Sequence, residues 1–328
     1  MKRIVIGIVL IIGIIGFAQR NSDEVTISAV GDILLDRGVR KIIEEEGYEY
    51  PYEKVRNSLN NRDIVVANLE CPIYDGNNPV YKRPDIIFKG GTENVNYIKS
   101  AGINLLNLAN NHTMDHRSEG LLSTIEALNK NHLDYFGAGK NSKDAKKLKI
   151  VKINNTRIGF LGYSVFPPEG YVFFPDRPHV AKVDPKRIKI EVKDAKRKCD
   201  FLIVSYHWGN EYESYPSENQ IKLAHETIDS GADLILGHHP HVLQSIEKYR
   251  DKYIFYSLGN FIFDRQIHWG TDETIIANFK IKNKRIVNIE LVPIKIINGQ
   301  PNLAQGEIKE KILNHLKRIS PKGHIKES

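Results

Sequence analysis

Two observations predict an α/β fold with a mixed sheet or two packed sheets. Short apolar runs rich in β-branched residues alternate with helical patterns, which is the order in which βαβ units are built. The last third of the chain changes to consecutive strand patterns, and the later ones suggest an antiparallel return. No internal repeat or Pro/Gly/Ser-rich linker divides the chain, so we expect one large domain over residues 24–328.

The predicted elements follow one another at short spacing. Buried strands are predicted at residues 25–30, 64–67, 103–108, 158–162, 201–205 and 234–236, and later strands at 253–257, 274–281 and 285–293. Helices are predicted at residues 38–46, 92–101, 118–131 and 217–230. Residues 166–178 are dense in proline and aromatics and form an insertion that either shapes the rim of a cleft or packs on the surface.

The N-terminus has the pattern of an export signal. Lys2 and Arg3 precede an apolar run over residues 4–18. In a helix this run reaches only ~22 Å at ~1.5 Å per residue, short of a hydrocarbon layer of ~30 Å. We therefore expect residues 1–20 to be a signal peptide, cleaved after Ala18, or an N-terminal membrane anchor. The positive charges before the run place the remainder outside the cytoplasm, either membrane-associated or secreted.

The formal net charge of +7 favours anionic partners. Lysines concentrate in residues 140–152, 182–198 and the C-terminal tail. An acidic polymer, teichoic or phospholipid headgroups and nucleic acid all match this sign, but we favour a solvated basic surface. The net charge alone does not distinguish these explanations.

Cys71 and Cys199 are the only cysteines in the sequence. Two thiols in an exported chain either pair as one disulfide or stay free. We favour a free thiol at Cys71, because this residue follows a strand beside an acid of the candidate site.

Acids, amides and histidines fall at the carboxyl ends of the predicted strands. In open α/β sheets, ligands bind outside these strand ends. Five strands thereby direct polar side chains to one edge of the sheet: Asp32, Glu70, Asn111, His112, His207, His239 and His241.

This donor set suits divalent metal ions. Two carboxylates, one amide oxygen and three imidazoles match Mn, Fe or Zn, with one carboxylate bridging two ions if two are bound. Each residue also has a structural explanation, since Asp32 could cap the helix near Gly38 and a single histidine is often a core or surface group. His239 and His241 are the strongest candidates, because His-Pro-His presents two rings across a rigid turn.

The motifs resemble those of calcineurin-like metallophosphoesterases in type and order. Gly-Asp follows the first strand, Asn-His the third, and an isolated histidine and Gly-x-His-x-His come later. The version in this sequence resembles the CapA (PgsA) family of poly-γ-glutamate capsule synthesis proteins, from about Val25 to the end. The motifs that carry the resemblance are Asn68-Leu69-Glu70, Asn110-Asn111-His112-x-x-Asp115, His207-Trp208-Gly209, Gly237-His238-His239-Pro240-His241 and Ser257-Leu258-Gly259-Asn260-Phe261. The resemblance implies a calcineurin-like fold, with mixed sheets packed as a sandwich flanked by helices.

The resemblance also implies roles for individual residues. Asp32 and His241 would bind a first metal, and Glu70 would take the place of the bridging acid. Asn111, His207 and His239 would bind a second metal. In the wider superfamily the residue matching His112 protonates the leaving oxygen, a role typically worth ~10²–10⁴-fold in rate. Asp115 would either orient His112 or cap a helix.

Two motifs depart from those of the wider superfamily. The Asp-x-His of its first motif is Asp32-Ile33-Leu34 here, so the first metal lacks one imidazole. The bridging aspartate motif has become Asn-Leu-Glu. The residues that could supply missing ligands or substrate contacts are Asp36, Asn68, Glu211, Asn260 and Asp264.

The family resemblance implies an exported protein that acts in synthesis or export of poly-γ-glutamate or a similar anionic polymer, with membrane capsule-synthesis subunits as partners. A metal-dependent hydrolase and a non-catalytic polymer-binding subunit both fit, and an exported nucleotidase or phosphodiesterase follows from superfamily analogy. We expect no specific nucleic-acid partner. The sequence has no Walker loop, dinucleotide fingerprint or Gly-x-Ser-x-Gly elbow, so polymerisation energy would have to come from a partner.

Overall fold

The computed structural model describes residues 24–264 and 267–322, in which two mixed sheets pack face to face between outer layers of helices. The strands, in chain order, are β1 Glu24–Ile33, β2 Ile64–Leu69, β3 Leu105–Asn107, β4 Asp134–Phe136, β5 Ala138–Gly139, β6 Lys149–Ile153, β7 Thr156–Ser164, β8 His179–Val180, β9 Phe201–His207, β10 Leu234–His238, β11 Ile246–Tyr249, β12 Lys252–Phe255, β13 Asn260–Ile262, β14 Glu273–Lys282, β15 Arg285–Ile297 and β16 Gln300–Leu303. The helices are α1 Arg37–Glu46, α2 Arg56–Leu59, α3 Asn94–Ser100, α4 Arg117–Lys130, α5 Ser142–Ala145, α6 Ile188–Lys196, α7 Glu218–Asp229 and α8 Gly306–Ile319, with single 3₁₀ turns at Tyr50–Tyr52 and Pro84–Ile86.

The first sheet is centred on β1 and has the strand order β16-β15-β14-β1-β2-β3-β4. Strands β1 to β4 run parallel, with Ile27 opposite Ile64 and Asp32 opposite Asn68. Strand β14 returns antiparallel along β1, with Glu24 opposite Lys282, and β13 pairs with the end of β1 at Asp32. Asp32 therefore lies where three strands meet.

The second sheet has the strand order β11-β12-β10-β9-β7-β6. Strands β7, β9, β10 and β12 are parallel, and His207 at the end of β9 is opposite His238 at the end of β10. The carboxyl ends of the parallel strands in both sheets therefore place histidines and acids at the same end of the sandwich.

The core has three apolar layers, because the strands alternate which face each side chain points to. In β1, Val25, Ile27 and Ala29 face the other sheet, where they pack with residues such as Phe160, Ile203 and Leu236. The opposite face of the first sheet packs on α1, α3 and α4, and the opposite face of the second packs on α6 and α7. Each fully buried large apolar side chain contributes about 1.5–3 kcal/mol through the hydrophobic effect, so this double sandwich provides a rigid platform for the site.

Every strand and helix predicted from the sequence is present, with end points that differ by a few residues. Helix α7 begins at Glu218 because Ser217 and Gln220 form a capping box. Several elements were not predicted, among them the helices α6 and α8 and the strands β4, β6, β11, β13 and β16. The predicted α/β class, mixed sheets packed as a sandwich flanked by helices, is confirmed.

The predicted signal or anchor at residues 1–20 lies outside the described residues. Within the described ranges, none of the helices combines the length and apolar character needed to cross a membrane. Cys71 and Cys199 are both free and buried, in the apolar layers on opposite outer faces of the sandwich. Burial raises the pKa of the Cys71 thiol to about 12.

Candidate metal centre

Two groups of buried side chains share Glu70 at the carboxyl ends of the sheets. Asp32, Glu70 and His241 form one group, and Glu70, His207 and His239 form the other. Within each group the candidate ligand atoms lie within 4.8 Å of one another. The carboxylate oxygen Glu70 Oε1 lies 3.9 Å from His207 Nε2 and 3.8 Å from His241 Nε2. One carboxylate thus faces an imidazole from each group.

The first group is built around Asp32. Its Oδ1 accepts hydrogen bonds from His238 Nδ1 at 3.0 Å and from Asn68 Nδ2 at 2.9 Å. Its Oδ2 accepts from the backbone N–H of His239 at 3.2 Å and lies 3.9 Å from His241 Nδ1. These donors fix the orientation of the carboxylate before any ligand is bound.

The second group is richer in imidazole. His207 Nε2 lies 3.1 Å from His239 Nδ1 and 2.8 Å from Asn111 Oδ1. The Phe166 ring packs on His239 with ring centroids 4.4 Å apart. Asn111 and both histidines are at most 7% exposed, so their donor atoms are shielded from solvent.

Two glycines allow the backbones to approach closely beside the ligands. A Cβ at Gly31, which precedes Asp32, would lie 1.9 Å from the carbonyl oxygen of Gly259. A Cβ at Gly237, which precedes His238, would lie 1.9 Å from the carbonyl oxygen of Tyr256. Neither position accommodates a side chain, which explains the Gly-Asp and Gly-His pairs in the sequence.

The turn after β10 holds two histidines in the left-handed region of backbone space. His239 has φ 98° and His241 has φ 60°. For residues other than glycine, such conformations typically cost about 1–3 kcal/mol, and they persist where the surrounding structure enforces them. The two strained residues carry two of the candidate ligands.

Burial and mutual proximity keep the imidazoles neutral. Burial lowers the pKa of His239 to about 3, and burial together with the His239 ring lowers the pKa of His207 well below its usual value. Burial also lowers the pKa of His241. His241 Nδ1 donates to Asn260 Oδ1 at 2.9 Å, which leaves Nε2 as the lone-pair nitrogen facing Glu70.

The pKa values of the Asp32 and Glu70 carboxyl groups shift in opposite directions. Burial alone would raise the pKa of Asp32, but the hydrogen bond and charge of His238 hold that pKa below its usual value. Burial and the adjacent Asp32 raise the pKa of Glu70 well above its usual value. The imidazoles are neutral, and the negative charge of the Glu70 carboxylate is not compensated. A divalent cation would bind the imidazoles and neutralise this charge, so the residues fit the metal implied by the sequence.

A second cluster lies beside the metal-ligand groups. His112 Nδ1 donates to Asp115 Oδ2 at 2.9 Å, and that oxygen also accepts from the backbone N–H of Phe88 at 2.8 Å. The other oxygen, Oδ1, pairs with the buried Lys82 ammonium at 2.7 Å. Asp115 therefore holds the His112 ring, and the N-cap of α4 is His116, so the alternative of a helix cap at Asp115 is wrong.

The remaining predicted residues separate into those at the centre and those that have structural roles. Asn68 donates to Asp32, and Asn260 accepts from His241, so both hold ligands in place. Glu211 is exposed, and its charge acts on Glu70 and His241 from outside the pocket.

Asp36 and Asp264 do not lie among the candidate ligands. Asp36 caps α1 through the Arg37 N–H, and Asp264 forms an ion pair with the Arg37 side chain. Because Asp36 is the cap of α1, the alternative that Asp32 caps this helix is wrong.

Three residues of the site were not singled out from the sequence. His238 was part of a quoted motif, and its register opposite His207 reveals its function as a donor to Asp32. Lys82 lies in a loop without periodicity. The Arg37 guanidinium is held between Phe88 and Phe263, 5.0 and 5.3 Å from the ring centroids.

The predicted insertion over residues 166–178 forms part of the rim. Phe166 packs on His239, Glu169 lies 3.8 Å from Lys82, and Tyr171 hydrogen-bonds to Ser118. Of the two alternatives left open by the sequence, the contacts favour the cleft rim.

Comparison with known proteins identifies the family of the chain. Residues 26–265 match the family model described as "Bacterial capsule synthesis protein PGA_cap". The chain belongs to this family. It is 34% identical over 315 residues to the "Capsule biosynthesis protein CapA" of Bacillus anthracis, covering 94% of this chain and 76% of the relative. It is 35% identical over 285 residues to the "PGA biosynthesis protein CapA" of Bacillus subtilis (strain 168), covering 86% and 74%.

Comparison of this PGA_cap member with solved structures gives matches at low identity. A hypothetical protein from Thermus thermophilus superposes with a TM-score of 0.50 at 16% identity, covering 83% of this chain and 100% of the other. The calcineurin-like phosphoesterase YfkN from Bacillus subtilis has a TM-score of 0.44 at 14% identity, covering 90% and 96%. The family resemblance seen in the sequence is confirmed.

Proposed function

We propose that this protein is an extracytoplasmic, metal-dependent hydrolase-type component of poly-γ-glutamate capsule synthesis or export. The observation that carries the proposal is the position of Glu70, whose Oε1 faces His207 in one group and His241 in the other. A shared carboxylate between two donor groups suits one or two divalent ions of Mn, Fe or Zn. Capsule-related names of the relatives support the process, and Lys2, Arg3 and the apolar run after them support export.

Bound ions would supply an activated water and polarise the scissile group. The chain's own residues would then manage charge and protons. His112, held at Nδ1 by Asp115, keeps Nε2 for transfer of a proton to the leaving oxygen. Lys82 and the Phe88 N–H fix the Asp115 carboxylate, so the ring orientation is set before substrate arrives.

Arg37 supports an anionic substrate. Its guanidinium lies between two aromatic rings near the centre, and its charge opposes the raised pKa of Glu70. Asp264 accepts from Nη2 and holds the guanidinium in place, so the remaining N–H donors of Arg37 can bind a phosphate or carboxylate with little loss of side-chain entropy. Either a phosphorylated intermediate or the polymer itself carries such a group.

One observation favours a second candidate, a polymer-binding subunit without turnover. Leu34, at the position where the wider superfamily has a histidine, is fully buried in the apolar core. The first group therefore has no second imidazole. In such a subunit, the metal would stabilise the polymer-binding surface.

Elemental analysis and turnover assays on the full chain test the proposal. We expect bound Mn, Fe or Zn, and metal-dependent turnover of p-nitrophenyl phosphate, bis-p-nitrophenyl phosphate or poly-γ-glutamate. His112→Ala should keep its metal and lose ~10²–10⁴-fold in turnover of esters whose leaving group needs a proton, with a smaller loss for p-nitrophenyl esters.

The matched control is His225→Ala, since His225 pairs with Glu247 and stacks on Tyr249, away from the centre. This variant should retain both metal and turnover. Metal-loaded protein that turns over none of these substrates but binds poly-γ-glutamate would support the polymer-binding subunit and refute the hydrolase.

A further inference from the structure

The end of the sandwich opposite the metal centre is rich in cations. It comprises the β6–β7, β11–β12 and β14–β15 turns, the start of β9 and the start of β1, and we call it the basic end. Contacts bring these segments together. Asp200, at the start of β9, pairs with Arg157 of β7 at 3.1 Å and with Lys284 of the β14–β15 turn at 3.0 Å. Arg285 lies close enough to the β11–β12 turn to lower the pKa of Asp251, after the larger effect of Lys248.

Three acids at the basic end are each outnumbered by the cations around them. Asp200 is shared by two cations, and Glu24 is shared by Lys280 and Lys282, each at 3.4 Å. Asp233 is likewise shared by two lysines. At each of these acids, one of the two positive charges therefore remains uncompensated. Further exposed cations at this end are Lys152, Lys198 and Arg285.

The chain enters the sandwich at the same end. Glu24 is the first residue of β1, and the apolar run over residues 4–18 precedes it by only a few residues. Strand β1 then runs to Asp32 in the metal centre. Eight steps at ~3.3 Å place Glu24 about 26 Å from Asp32. If the apolar run inserts in a bilayer, the basic end is the surface brought against the headgroups.

We propose that the basic end rests on an anionic lipid surface, so that the metal centre opens away from the membrane. The inference rests on the extracytoplasmic location in the proposed function, takes residues 1–20 as a membrane anchor and not as a cleaved signal, and does not depend on catalysis. Phosphate-bearing headgroups complement the surplus cations, and an anchor that precedes Glu24 in the sequence would hold this end at the bilayer. Substrate would then reach the metal centre from the side facing away from the bilayer.

Vesicle binding of the full chain tests the surface. We expect tighter binding to phosphatidylglycerol–phosphatidylcholine vesicles than to phosphatidylcholine vesicles. The triple variant Lys152→Gln, Lys198→Gln, Arg285→Gln should weaken binding to the anionic vesicles at least ~10-fold, because each cation near an anionic surface contributes measurably. Binding to phosphatidylcholine vesicles should be unchanged.

The control triple variant Lys41→Gln, Lys186→Gln, Lys222→Gln removes the same total charge. These exposed lysines lie on α1, just before α6 and on α7, where the chain leaves the end of the sandwich that holds the metal centre. It should bind both vesicles like the unmodified chain. Equal weakening in both triple variants, or none in either, would overturn the basic end as the lipid surface. A chain that binds neither vesicle would refute the membrane attachment itself, whatever the result of the turnover assays.

Orientation is measured with single cysteines carrying a fluorophore. Asn155→Cys lies in the β6–β7 turn, and Glu213→Cys lies in the loop after β9 at the site end, while the two native thiols are buried. A quencher on the lipid headgroups should quench the label at position 155 and leave the label at 213 bright. The reverse pattern, or binding of poly-γ-glutamate that the first triple variant abolishes while vesicle binding persists, would assign the basic end to another partner.

Discussion

Asp32 and His239 come from facing sheets and lie in one centre. The two ligand groups to which they belong differ in how much each depends on a metal ion. Asp32 already accepts three hydrogen bonds, so its charge is stabilised without a cation. His207 and His239 are neutral rings in close contact, and Asn111 adds an amide oxygen beside them. The second group therefore depends more on a metal, and we expect it to bind the tighter ion.

The largest expected effect comes from the residue that both groups share. Glu70→Gln keeps the shape of the side chain but removes the charge that faces both His207 and His241. We expect loss of bound metal from both groups and a fall in any turnover of at least ~10²-fold, since metal ions contribute several kcal/mol to such reactions. Elemental analysis and the ester assays measure this.

The same variant has a stability signature. Because the pKa of Glu70 is raised in the folded state, the preference of the unfolded chain for the ionised carboxylate destabilises the metal-free protein at neutral pH. Metal-free Glu70→Gln should therefore unfold at a temperature equal to or above that of the metal-free parent, while added metal should stabilise the parent alone. A lower unfolding temperature for metal-free Glu70→Gln would contradict this account.

His207→Ala and His241→Ala compare the two groups directly. Each variant removes one imidazole, but His207 belongs to the group that depends on metal and His241 to the group in which Asp32 is already satisfied. We expect His207→Ala, like His239→Ala, to lose the tighter ion and His241→Ala to lose the weaker one. Titration with Mn²⁺ or Zn²⁺ distinguishes them, and equal losses would mean that the groups do not differ.

A smaller effect is expected from the residue that orients Asp32. His238→Ala removes the Nδ1 donor to Asp32 Oδ1 and leaves every proposed ligand in place. Outer hydrogen bonds of this kind are typically worth about 10–100-fold in metal affinity. The weaker ion should show this loss while the tighter ion is nearly unaffected, and the reverse would place His238 with the second group.

Much of the site could be predicted because strand order and chemistry coincide. Buried apolar runs identify the parallel strands, and the polar residues directly after them must then share one edge. His238 was missed because its function depends on a contact with Asp32, 206 positions away in sequence. Lys82 and Arg37 were missed for the same physical reason, since their partners come from distant loops that carry no periodic signal.

The distribution of charge over the surface could be predicted from the sequence even less well than the site. The lysine-rich stretches at 140–152 and 182–198 are visible in the chain, but the basic end is assembled by turns from five separate segments. Asp200 with Lys284, and Glu24 with Lys282, are brought together only by sheet pairing and packing. Net charge could therefore predict the sign of a partner and not the surface that contacts it.

Strand β1 also determines how the molecule would respond to a pull. Its residues from Glu24 to Ala29 are hydrogen-bonded antiparallel to β14, and those from Ile27 onward are bonded parallel to β2. A force applied at Glu24 along the strand would load these bonds together, in shear, and not one after another as in peeling an edge strand. Glu24 thus begins a strand that is hydrogen-bonded on both sides, and the pairs between Glu24 and Ala29 would bear the tension on a tether before it reached Asp32.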